Sequence, residues 1–420
     1  MIFSIRNIES LCKKITDGSH FSPENEDDGV YPMFSVKDML YNGFSDKDYK
    51  IIGKTVFQKL SKSDCRPLKN DILIAKDGSY LKYVFKAKQD IDACILSSIA
   101  ILRPDIEQID PDYFVYLMRS KSIKDAMANY VSGSALPRII LSDFKKMKLK
   151  MVEDKVVQKC IASVLSTYDD LIENNNKRIK ILEQMAQELY KEWFVRLRFP
   201  GYNDIKIEDG LPADWEIKKL SDFGISLDTG SRPTGGIDAS LTDGVPSLGA
   251  EAINALAEFD YSSVKLVPVD FYNSMKRGRN TGNDILVYKD GAYIGKVTLF
   301  RNEFPYKNYA VNEHVFLLKP TNELYLNYLY FTLHQDAYFY LMQNLNRNAA
   351  QPGLSREDIK QIKITVPSET TIKRFNDVVE PILNKIFVLA KQNANLAKQR
   401  DLLLPRLMSG KLEIKGTDDA

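Results

Sequence analysis

A run of eleven residues that occurs twice constrains the fold of this chain more than any other feature of its sequence. The run from Asn70 to Tyr80 recurs from Asn283 to Tyr293, with eight of the eleven positions identical at an offset of 213. Matches that recur at one spacing indicate a duplicated structural unit. The 420 residues therefore predict two copies of one plan. Other matches near this offset are Gly18-Ser19 with Gly230-Ser231, and Tyr113, Tyr116 and Leu117 with Tyr325, Tyr328 and Leu329.

The sequence changes character once within each copy. Short β-rich runs separated by Gly, Pro, Asn and Asp come first, interrupted by one helical patch, and a single long helical pattern follows. This order predicts an α+β fold: two tandem α/β modules joined by two long antiparallel helices, a coiled coil with internal pseudo-two-fold symmetry. The expected boundaries are 1–150 and 201–366 for the modules, 151–200 and 367–413 for the helical regions, and 414–420 for a polar tail.

Both helical regions carry an apolar period of seven residues. Two such rows, three or four residues apart, are typical of the a and d positions of a coiled coil. We expect each helix to span about 30–40 residues, or about 50–60 Å. The rows of the first region are Leu165, Ile172, Ile179, Ala186 and Trp193, and Ile161, Tyr168, Asn175, Leu182 and Leu189. Those of the second are Val379, Ile386, Asn393, Arg400 and Leu407, and Phe375, Ile382, Leu389, Leu396 and Leu403.

The asparagines in these rows predict how the helices pair. In antiparallel helices a positions face d positions, and this holds for every pair once Asn175 is set opposite Asn393. We expect the two asparagines to form a buried polar layer that fixes the helix register, at some cost in stability. Trp193 then meets Phe375.

Two further expectations concern these helices. The same alignment places Tyr168 near Arg400 and Ile161 near Leu407. Pro381 lies inside the second pattern, and because proline lacks an amide hydrogen it predicts a kink or a fresh helix start near Glu380.

The composition bounds the class of protein. The formal net charge of +2 excludes a diffuse polycation but not local basic patches that bind DNA. The four cysteines show no C-x-x-C spacing and the three histidines show no metal-ligand spacing, so we expect reduced thiols and no metal site. The start of the chain has no apolar leader and no run approaches about 18 apolar residues, so a cytoplasmic location is expected.

A search for catalytic motifs predicts a non-catalytic chain. An adenine methyltransferase would need an Asn-Pro-Pro-aromatic motif and a Gly-rich loop for its methyl donor, and neither occurs. The segment 291–297 imitates a phosphate loop but is one residue short and lacks the Ser or Thr that would hold magnesium. Asp112 with Glu153-Asp154-Lys155 suggests a nuclease site only weakly, because such pairs and triplets are common by chance.

Three loops that recur in both copies are candidates for DNA contact. Glycine permits close backbone approach, hydroxyls and amides contact phosphates or base edges, and Arg or Gln can bind guanine or adenine through two hydrogen bonds. These loops are equally open to the interpretation that they are turns required by the shared fold, and the two roles are compatible. The candidates are Thr16, Gly18, Ser19, His20, Lys76, Ser79, Tyr80, Ser132, Ser134, Arg138, Gly230, Ser231, Arg232, Lys289, Tyr293, Asn348 and Gln351.

Loops that differ between the copies are expected to discriminate between DNA sequences. Basic residues with neighbouring aromatic residues occur in 37–69 and in 274–283, where Arg277 and Arg279 are the candidates for DNA contact. Such runs are often no more than a solvated face, but here phosphate positioning and groove readout are favoured.

The chain resembles the specificity subunit of type I restriction–modification enzymes. The resemblance covers nearly the whole chain, and the order and duplication of its loose motifs make it specific. The residues that carry it are Thr16-Asp17-Gly18-Ser19-His20, Gly133-Ser134 with Pro137-Arg138, Leu211-Pro212 with Trp215-Glu216, Glu192-Trp193-Phe194-Val195 and the segment Leu402 to Leu412.

The resemblance implies a function without chemistry in this chain. Each module would be a target recognition domain for double-stranded DNA, and the helices would set the distance between two half-sites. Two modification subunits, with S-adenosylmethionine, would methylate an adenine in each half-site after flipping it out. Two restriction subunits, with ATP and Mg²⁺, would cleave unmethylated DNA, so no cofactor is expected on this chain. The first half departs from the family pattern, since Phe3 falls where Trp215 stands in the second.

Two other interpretations remain open from the residues. The chain could be a coiled-coil scaffold that binds proteins without DNA specificity, which strong salt-dependent binding to duplex DNA would contradict. It could also be a detached recognition part of a single-chain restriction–methylation enzyme, against which the missing methyltransferase motifs already count.

Overall fold

The structure is a computed structural model that describes residues 1–78, 83–128, 130, 138–291, 293–345 and 353–413. It forms two compact units: 1–171 with 396–420, and 172–395. Each unit contains one β-rich module and a part of both long helices. The division cuts the first long helix near its middle and the second about two-thirds of the way along, whereas the sequence placed the boundaries at the helix ends.

The first unit contains eleven short strands and five short helices before its long helix in the described residues. The strands are β1 (Phe3–Asn7), β2 (Cys12–Asp17), β3 (Tyr31–Phe34), β4 (Met39–Leu40), β5 (Gly43–Phe44), β6 (Lys50–Ile52), β7 (Ile72–Ala75), β8 (Val84–Lys86), β9 (Cys94–Ile95), β10 (Ile99–Pro104) and β11 (Lys148–Val152). The helices are α1 (Ile8–Leu11), α2 (Lys54–Lys62), α3 (Pro111–Arg119), α4 (Lys121–Ala128), α5 (Leu141–Lys146) and the long α6 (Lys155–Tyr190), which continues into the second unit.

The second unit repeats this series. Its strands are β12 (Ile207–Glu208), β13 (Leu211–Pro212), β14 (Glu216–Lys219), β15 (Ile225–Thr229), β16 (Val245–Leu248), β17 (Lys265–Val267), β18 (Asp284–Tyr288), β19 (Val297–Phe300), β20 (Ala310–Val311), β21 (Val315–Pro320) and β22 (Lys363–Val366). Its helices are α7 (Leu220–Phe223), α8 (Val269–Ser274), α9 (Leu326–Leu333), α10 (Asp336–Leu345), α11 (Arg356–Gln361) and the long α12 (Glu369–Met408), whose last part belongs to the first unit.

Sheet topology confirms the duplication. The four-stranded sheet has the order β2-β10-β7-β8 in the first unit and β15-β21-β18-β19 in the second. A three-stranded sheet follows the same rule, with orders β6-β3-β9 and β17-β16-β20 and one parallel pair in each. Strand β1 pairs with β11 as β14 pairs with β22. The predicted fold class, two tandem α/β modules with long helices, is therefore confirmed.

The continuous apolar runs of the sequence become strands that are buried on both faces. In β7, Ile72 and Ile74 pack into a core shared with α3, while Leu73 and Ala75 face a second core beneath β3 and β5. Because successive side chains of a strand point to opposite faces, a strand buried on both faces needs an unbroken apolar run rather than an alternating one. The duplicated motif 70–80 marks this central strand and the loop that leaves it.

The long helices are continuous. Helix α6 has 36 residues and passes into a π-helical turn at Lys191–Val195, and α12 has 40 residues, which corresponds to about 54 Å and 60 Å. A fresh start near Glu380 is therefore a wrong prediction, since α12 passes through Pro381 as one helix. The Glu380 side chain explains this, because it pairs with Arg301 and accepts a hydrogen bond from Asn327, at 2.8 Å, so tertiary contacts hold the turn that the proline weakens.

Within the second unit, the segments of the two long helices run antiparallel. Nδ2 of Asn175 donates to Oδ1 of Asn393 at 2.9 Å, and Nδ2 of Asn393 donates to Oδ1 of Asn176 at 2.7 Å. Trp193 lies eighteen residues after Asn175, in the π-helical turn that continues α6, and Phe375 lies eighteen residues before Asn393 in α12. The centres of their rings are 5.8 Å apart. The contact thus moves toward the C-terminus of one helix as it moves toward the N-terminus of the other.

The first unit corrects one expected neighbour. Arg400 pairs with Asp169 and with Asp401, and it lies 4.4 Å from the centre of the Tyr41 ring, whereas the heptad rows pointed to Tyr168 as its neighbour. The rows assume that a helix meets only its partner helix, but α6 also packs against α3, which buries position 169. Ile161 and Leu407 are both fully buried in one core, as the alignment expected.

We expect the two asparagines to be energetically coupled. Replacing either Asn175 or Asn393 with leucine breaks the hydrogen bond between them and leaves its donor or its acceptor unpaired, whereas replacing both removes both groups, and only the exposed Asn176 then loses a partner. The double variant should exceed the stability expected from the two single variants by about 0.5–2 kcal/mol. Urea unfolding of the four proteins measures this coupling, with Lys177→Leu as an exposed control on the same helix. Strictly additive effects would show that the pair does not act as a layer.

Two further findings concern the whole of the described chain. No helix in it is both long and apolar enough to cross a membrane. The four cysteines are free thiols, two of them buried, and burial raises the pKa of Cys12 to about 12 and that of Cys65 to about 11. Both thiols therefore stay protonated and unreactive at neutral pH.

Candidate nucleic-acid interface

The first recurring loop follows β2 and is held against the strand β9. A Cβ atom at Gly18 would lie 2.1 Å from the carbonyl oxygen of Ile95, so only glycine fits there. The amide of Ser19 donates to the same oxygen at 2.8 Å, and its hydroxyl donates to the carbonyl of Phe21 at 2.6 Å. This tight seating turns the chain outward, and the His20 side chain, which follows, is exposed.

The second unit repeats this seating with other residues. A Cβ atom at Gly230 would lie 1.6 Å from the carbonyl oxygen of Val311, which ends β20. The Cα atom of Gly230 would also be only 2.3 Å from a Cβ at Gly278, so the basic loop 276–279 lies directly beside it. Ser231 and Arg232, which follow Gly230, are exposed, as are Arg277 and Arg279. Two loops that are distant in sequence thus form one basic surface.

The second and third recurring loops meet in both units. The carbonyl of Lys76 accepts from the amide of Ile139 at 3.0 Å, and that of Lys289 accepts from the amide of Leu354 at 2.9 Å. A β-bridge joins Asp77 to Arg138, and an equivalent one joins Asp290 to Gly353. In both units, the residues that follow the central strand therefore lie beside the residues that follow the third loop.

In the first unit these loops carry a chain of ion pairs. The Asp17 carboxylate lies 3.4 Å from Nε2 of His20 and 3.4 Å from Nζ of Lys76. Lys76 also lies 3.4 Å from Asp77, and Asp77 lies 3.5 Å from Nε of Arg138. His20 and Arg138, at the ends of the chain, are exposed, while Lys76 between them is 1% exposed.

The second unit builds an equivalent chain of ion pairs from different residues. Oε1 of Glu313 lies 3.0 Å from Nε of Arg232 and 3.3 Å from Nε2 of His314. Nδ1 of His314 lies 3.2 Å from Asp290, and Asp290 lies 2.9 Å from Nζ of Lys289. Asp290 is the counterpart of Asp77. The acid that pairs with the exposed Arg232 is Glu313, which follows β20, whereas Asp17 lies at the end of β2.

Three of these residues, Arg232, His314 and Asp290, line a depression of about 500 Å³. Arg232, Lys265 and Lys296 bring positive charge to it, Asp290 and Glu251 bring negative charge, and His314 adds its imidazole ring. Tyr293, at its edge, is exposed. A depression lined by both donors and acceptors suits the edge of a base, which presents both, better than it suits a phosphate, which presents acceptors alone.

The structure divides the predicted contact residues into supporting and exposed positions. Gly18, Ser19, Gly230 and the buried Lys76 support the loops, so Lys76 does not reach the surface in this arrangement. Thr16 is half-buried, and its hydroxyl donates to the carbonyl of Asp17 at 3.3 Å. The exposed positions are His20, Arg138, Ser231, Arg232, Arg277, Arg279 and Tyr293, with Lys289 half-buried. Ser79, Tyr80, Ser132, Ser134, Asn348 and Gln351 lie outside the described residues.

Sequence reasoning missed the acids and the histidine that hold the second loop cluster. Glu313 and His314 have Ser97 and Ser98 as their counterparts, since the amides of Lys76 and Lys289 donate to the carbonyls of Ser98 and His314. Because these positions differ between the copies, the repeat gave no signal for them. Asp17 belongs to a recurring loop, yet its counterpart is Thr229. Among the described residues, no three His, Cys, Asp or Glu side chains are grouped so that they could hold a metal ion.

Comparison with known proteins adds a family and several relatives. A family model described as "Type I restriction modification DNA specificity domain" matches residues 3–184 and 212–397. The type I restriction enzyme MjaIX specificity subunit of Methanocaldococcus jannaschii is 29% identical over 323 residues, which cover 72% of this chain and 69% of that protein. The MjaVIII specificity subunit of the same organism is 25% identical over 401 residues, 93% of this chain and 88% of that one.

A solved structure shows the same fold. The S subunit of a type I restriction–modification system from M. genitalium aligns over 99% of this chain and 97% of its own, with a TM-score of 0.56 and 20% identity.

Proposed function

The chain belongs to the type I restriction–modification DNA specificity family, and from this premise we propose that it reads a bipartite DNA target, one half-site with each unit. The observation that carries the proposal is the repeated loop cluster. Each unit holds an exposed side chain that can donate hydrogen bonds, His20 or Arg232, against a carboxylate beside a turn at Gly18 or Gly230. A positioned donor at an exposed loop suits the reading of a base edge, while long flexible basic residues contact phosphates.

The long helices support a spacing and docking role. A continuous helix is a stiff connection, so we propose that α6 and α12 set the number of base pairs between the half-sites. Both helices expose apolar side chains, among them Val164 and Leu171 of α6 in the first unit and Val378 and Val388 of α12 in the second. Exposed apolar rows are typical of surfaces that another protein covers. We place the docking of two modification subunits on them.

The chemistry then belongs to the partner subunits. In this proposal the modification subunits hold S-adenosylmethionine and methylate one adenine in each half-site after base flipping. Two restriction subunits supply ATP-driven translocation and cleavage with Mg²⁺. This chain binds no cofactor and acts in the cytoplasm, with the cellular DNA.

Methylation-sensitive sequencing of the genome tests the function. With the chain and its modification subunits present, we expect methyl-adenine within one motif made of two short specific parts and a spacer of fixed length. Deleting the gene for this chain should abolish that methylation, whereas deleting the restriction subunit should leave it unchanged. A bipartite motif that persists without this chain would refute the proposal.

Exchange of one module tests whether the units read independently. Replacing residues 1–150 with the matching module of a relative that reads another target should change one half of the motif and leave the other half and the spacer unchanged. Exchanging 201–366 should change the opposite half, and it serves as the matched control. The measurement is the methylated motif, and a change in both halves from either exchange would contradict independent reading.

Salt dependence separates this function from a protein scaffold. Purified with its modification subunits, the chain should bind duplex DNA with an affinity that falls steeply as salt rises, because phosphate contacts release counterions. A scaffold whose modules bind proteins would show no such dependence.

A further inference from the structure

The surroundings of Arg232, in the second unit, differ from those of the basic residues beside it. We propose that Arg232 reads a guanine in the half-site of the second unit, with Glu313 as the residue that positions it. This inference rests on the proposed function. It goes further by naming the reading residue, the base and the half-site.

The guanidinium of Arg232 is held from one side. Its Nε lies 3.0 Å from Oε1 of Glu313, and that oxygen also lies 3.3 Å from Nε2 of His314. In the proposed arrangement this ion pair restricts the guanidinium, and its two Nη groups turn toward the DNA. Two parallel N–H donors match O6 and N7 of guanine in the major groove, the most frequent specific contact of arginine with DNA.

The charge around Arg232 favours a base over a phosphate. The depression that it lines also contains Glu251 and Asp290, with Glu313 adjacent. These three carboxylates offset much of the positive charge that Arg232, Lys265 and Lys296 bring, so the depression attracts a phosphate less than a purely basic loop does. A guanine edge is neutral and does not need that positive charge.

The neighbouring basic loop supplies the contrast. Lys276, Arg277 and Arg279 lie beside the turn of Gly230, and all three are exposed. They form a basic run without acids within it, which is the character of a phosphate contact. In the proposed complex the basic run contacts the phosphates, and Arg232, which Glu313 holds, faces the groove.

The first unit supports a discriminating role for this position. His20 occupies the place of Arg232, two residues after the seated glycine, and its Nε2 lies 3.4 Å from Asp17. The position thus keeps an exposed side chain on a carboxylate in both units but changes the side chain. A position that reads different bases in two half-sites is expected to vary in this way.

The test is the methylated motif of the complete modification complex. Because glutamine pairs with adenine rather than guanine, Arg232→Gln should reduce the preference for guanine at one position of one half-site by about 5- to 100-fold, with adenine gaining there. The 201–366 exchange identifies that half-site. Glu313→Gln should weaken the same preference while guanine remains the best base, since Arg232 is still present but less well held.

Arg277→Gln is the matched control. It should weaken binding to all sequences alike and lower the salt dependence by about one phosphate contact, with the motif unchanged. Circular dichroism and assembly with the modification subunits establish that each variant is folded.

Three outcomes would overturn the inference. These are a second half-site without guanine, an Arg232→Gln motif identical to that of the parent chain, or an equal loss at every position. In each case a bipartite motif that depends on this chain would still uphold the proposed function, so the two failures are distinguishable.

Discussion

Replacing Asp169 with alanine is expected to lower the free energy of unfolding by about 3–5 kcal/mol, because it leaves the buried Arg119 cation without its counter-charge. The Asp169 carboxylate pairs with Arg119 at 3.0 Å and with Arg400, and it accepts a hydrogen bond from the Tyr116 hydroxyl at 2.7 Å. Both arginines are almost fully buried in the first unit. No other anion pairs with Arg119 in the described structure, so its charge would stay uncompensated.

The same cluster holds a loop of the first recognition module. Arg119 donates to the carbonyl of Tyr41 at 2.6 Å and to Oδ1 of Asn42 at 2.8 Å. The Tyr41 ring lies between two guanidinium groups, 3.9 Å from that of Arg119 and 4.4 Å from that of Arg400. Burial raises the pKa of Tyr41 to about 12, so the ring stays neutral and presents its π face to both cations. Loss of Asp169 should therefore loosen 39–44 as well as lower stability.

Thermal unfolding and hydrogen exchange measure the two effects. A loss of this size corresponds to a fall in melting temperature of roughly 6–20 °C for a unit of about 200 residues. Amides of 39–44 should exchange faster in Asp169→Asn, a milder variant that keeps the shape. Asp170→Ala is the matched control, since Asp170 is exposed and its pair with Lys88 at 3.7 Å contributes little. An Asp169→Ala variant that melts with the parent chain would show that solvent reaches the cluster.

Asp169 also shows which part of the structure the sequence can predict. The repeat predicted the fold class because the four-stranded and three-stranded sheets of one module have counterparts in the other, and the seven-residue rows predicted two long helices. The rows placed Tyr168 rather than Asp169 opposite Arg400, since periodicity describes one helix pair and carries no information on the third helix, α3, that also packs there. Burial at position 169 depends on contacts between residues about 50 positions apart.

The candidate nucleic-acid interface shows the same limit of prediction from the sequence. The glycines and the Lys-Asp-Gly motif could be found because they recur. Glu313 and His314 could not, since the equivalent positions hold Ser97 and Ser98 and the pairing with Arg232 spans about 80 residues. Recurrence therefore identifies what the fold needs, while the residues that differ between the two units leave no internal signal. For this reason the predicted set mixes supporting residues such as Lys76 with exposed ones such as Arg232.

Replacing Gly18 or Gly230 with alanine is expected to give the second large effect, and each variant tests one unit. Gly18→Ala should disturb the loop that carries His20, because a Cβ there would lie 2.1 Å from a backbone oxygen and backbone must move. Gly230→Ala should disturb the loop that carries Arg232 still more, with 1.6 Å to the oxygen of Val311. We expect a cost of about 1–3 kcal/mol or more in stability and at least a tenfold loss of DNA affinity in each case.

The two variants differ in which half-site they affect. Binding of the modification complex to duplexes with one mutated half-site measures this: Gly18→Ala should become indifferent to changes in the half-site of the first unit, and Gly230→Ala to changes in the other. Gly43→Ala is the matched control, because no atom lies within 4 Å of its Cβ position. If Gly18→Ala kept full discrimination at both half-sites, the turn would only support the fold. If either variant lost discrimination at both, the modules would not read independently, because the disturbed backbone in each case belongs to one unit alone.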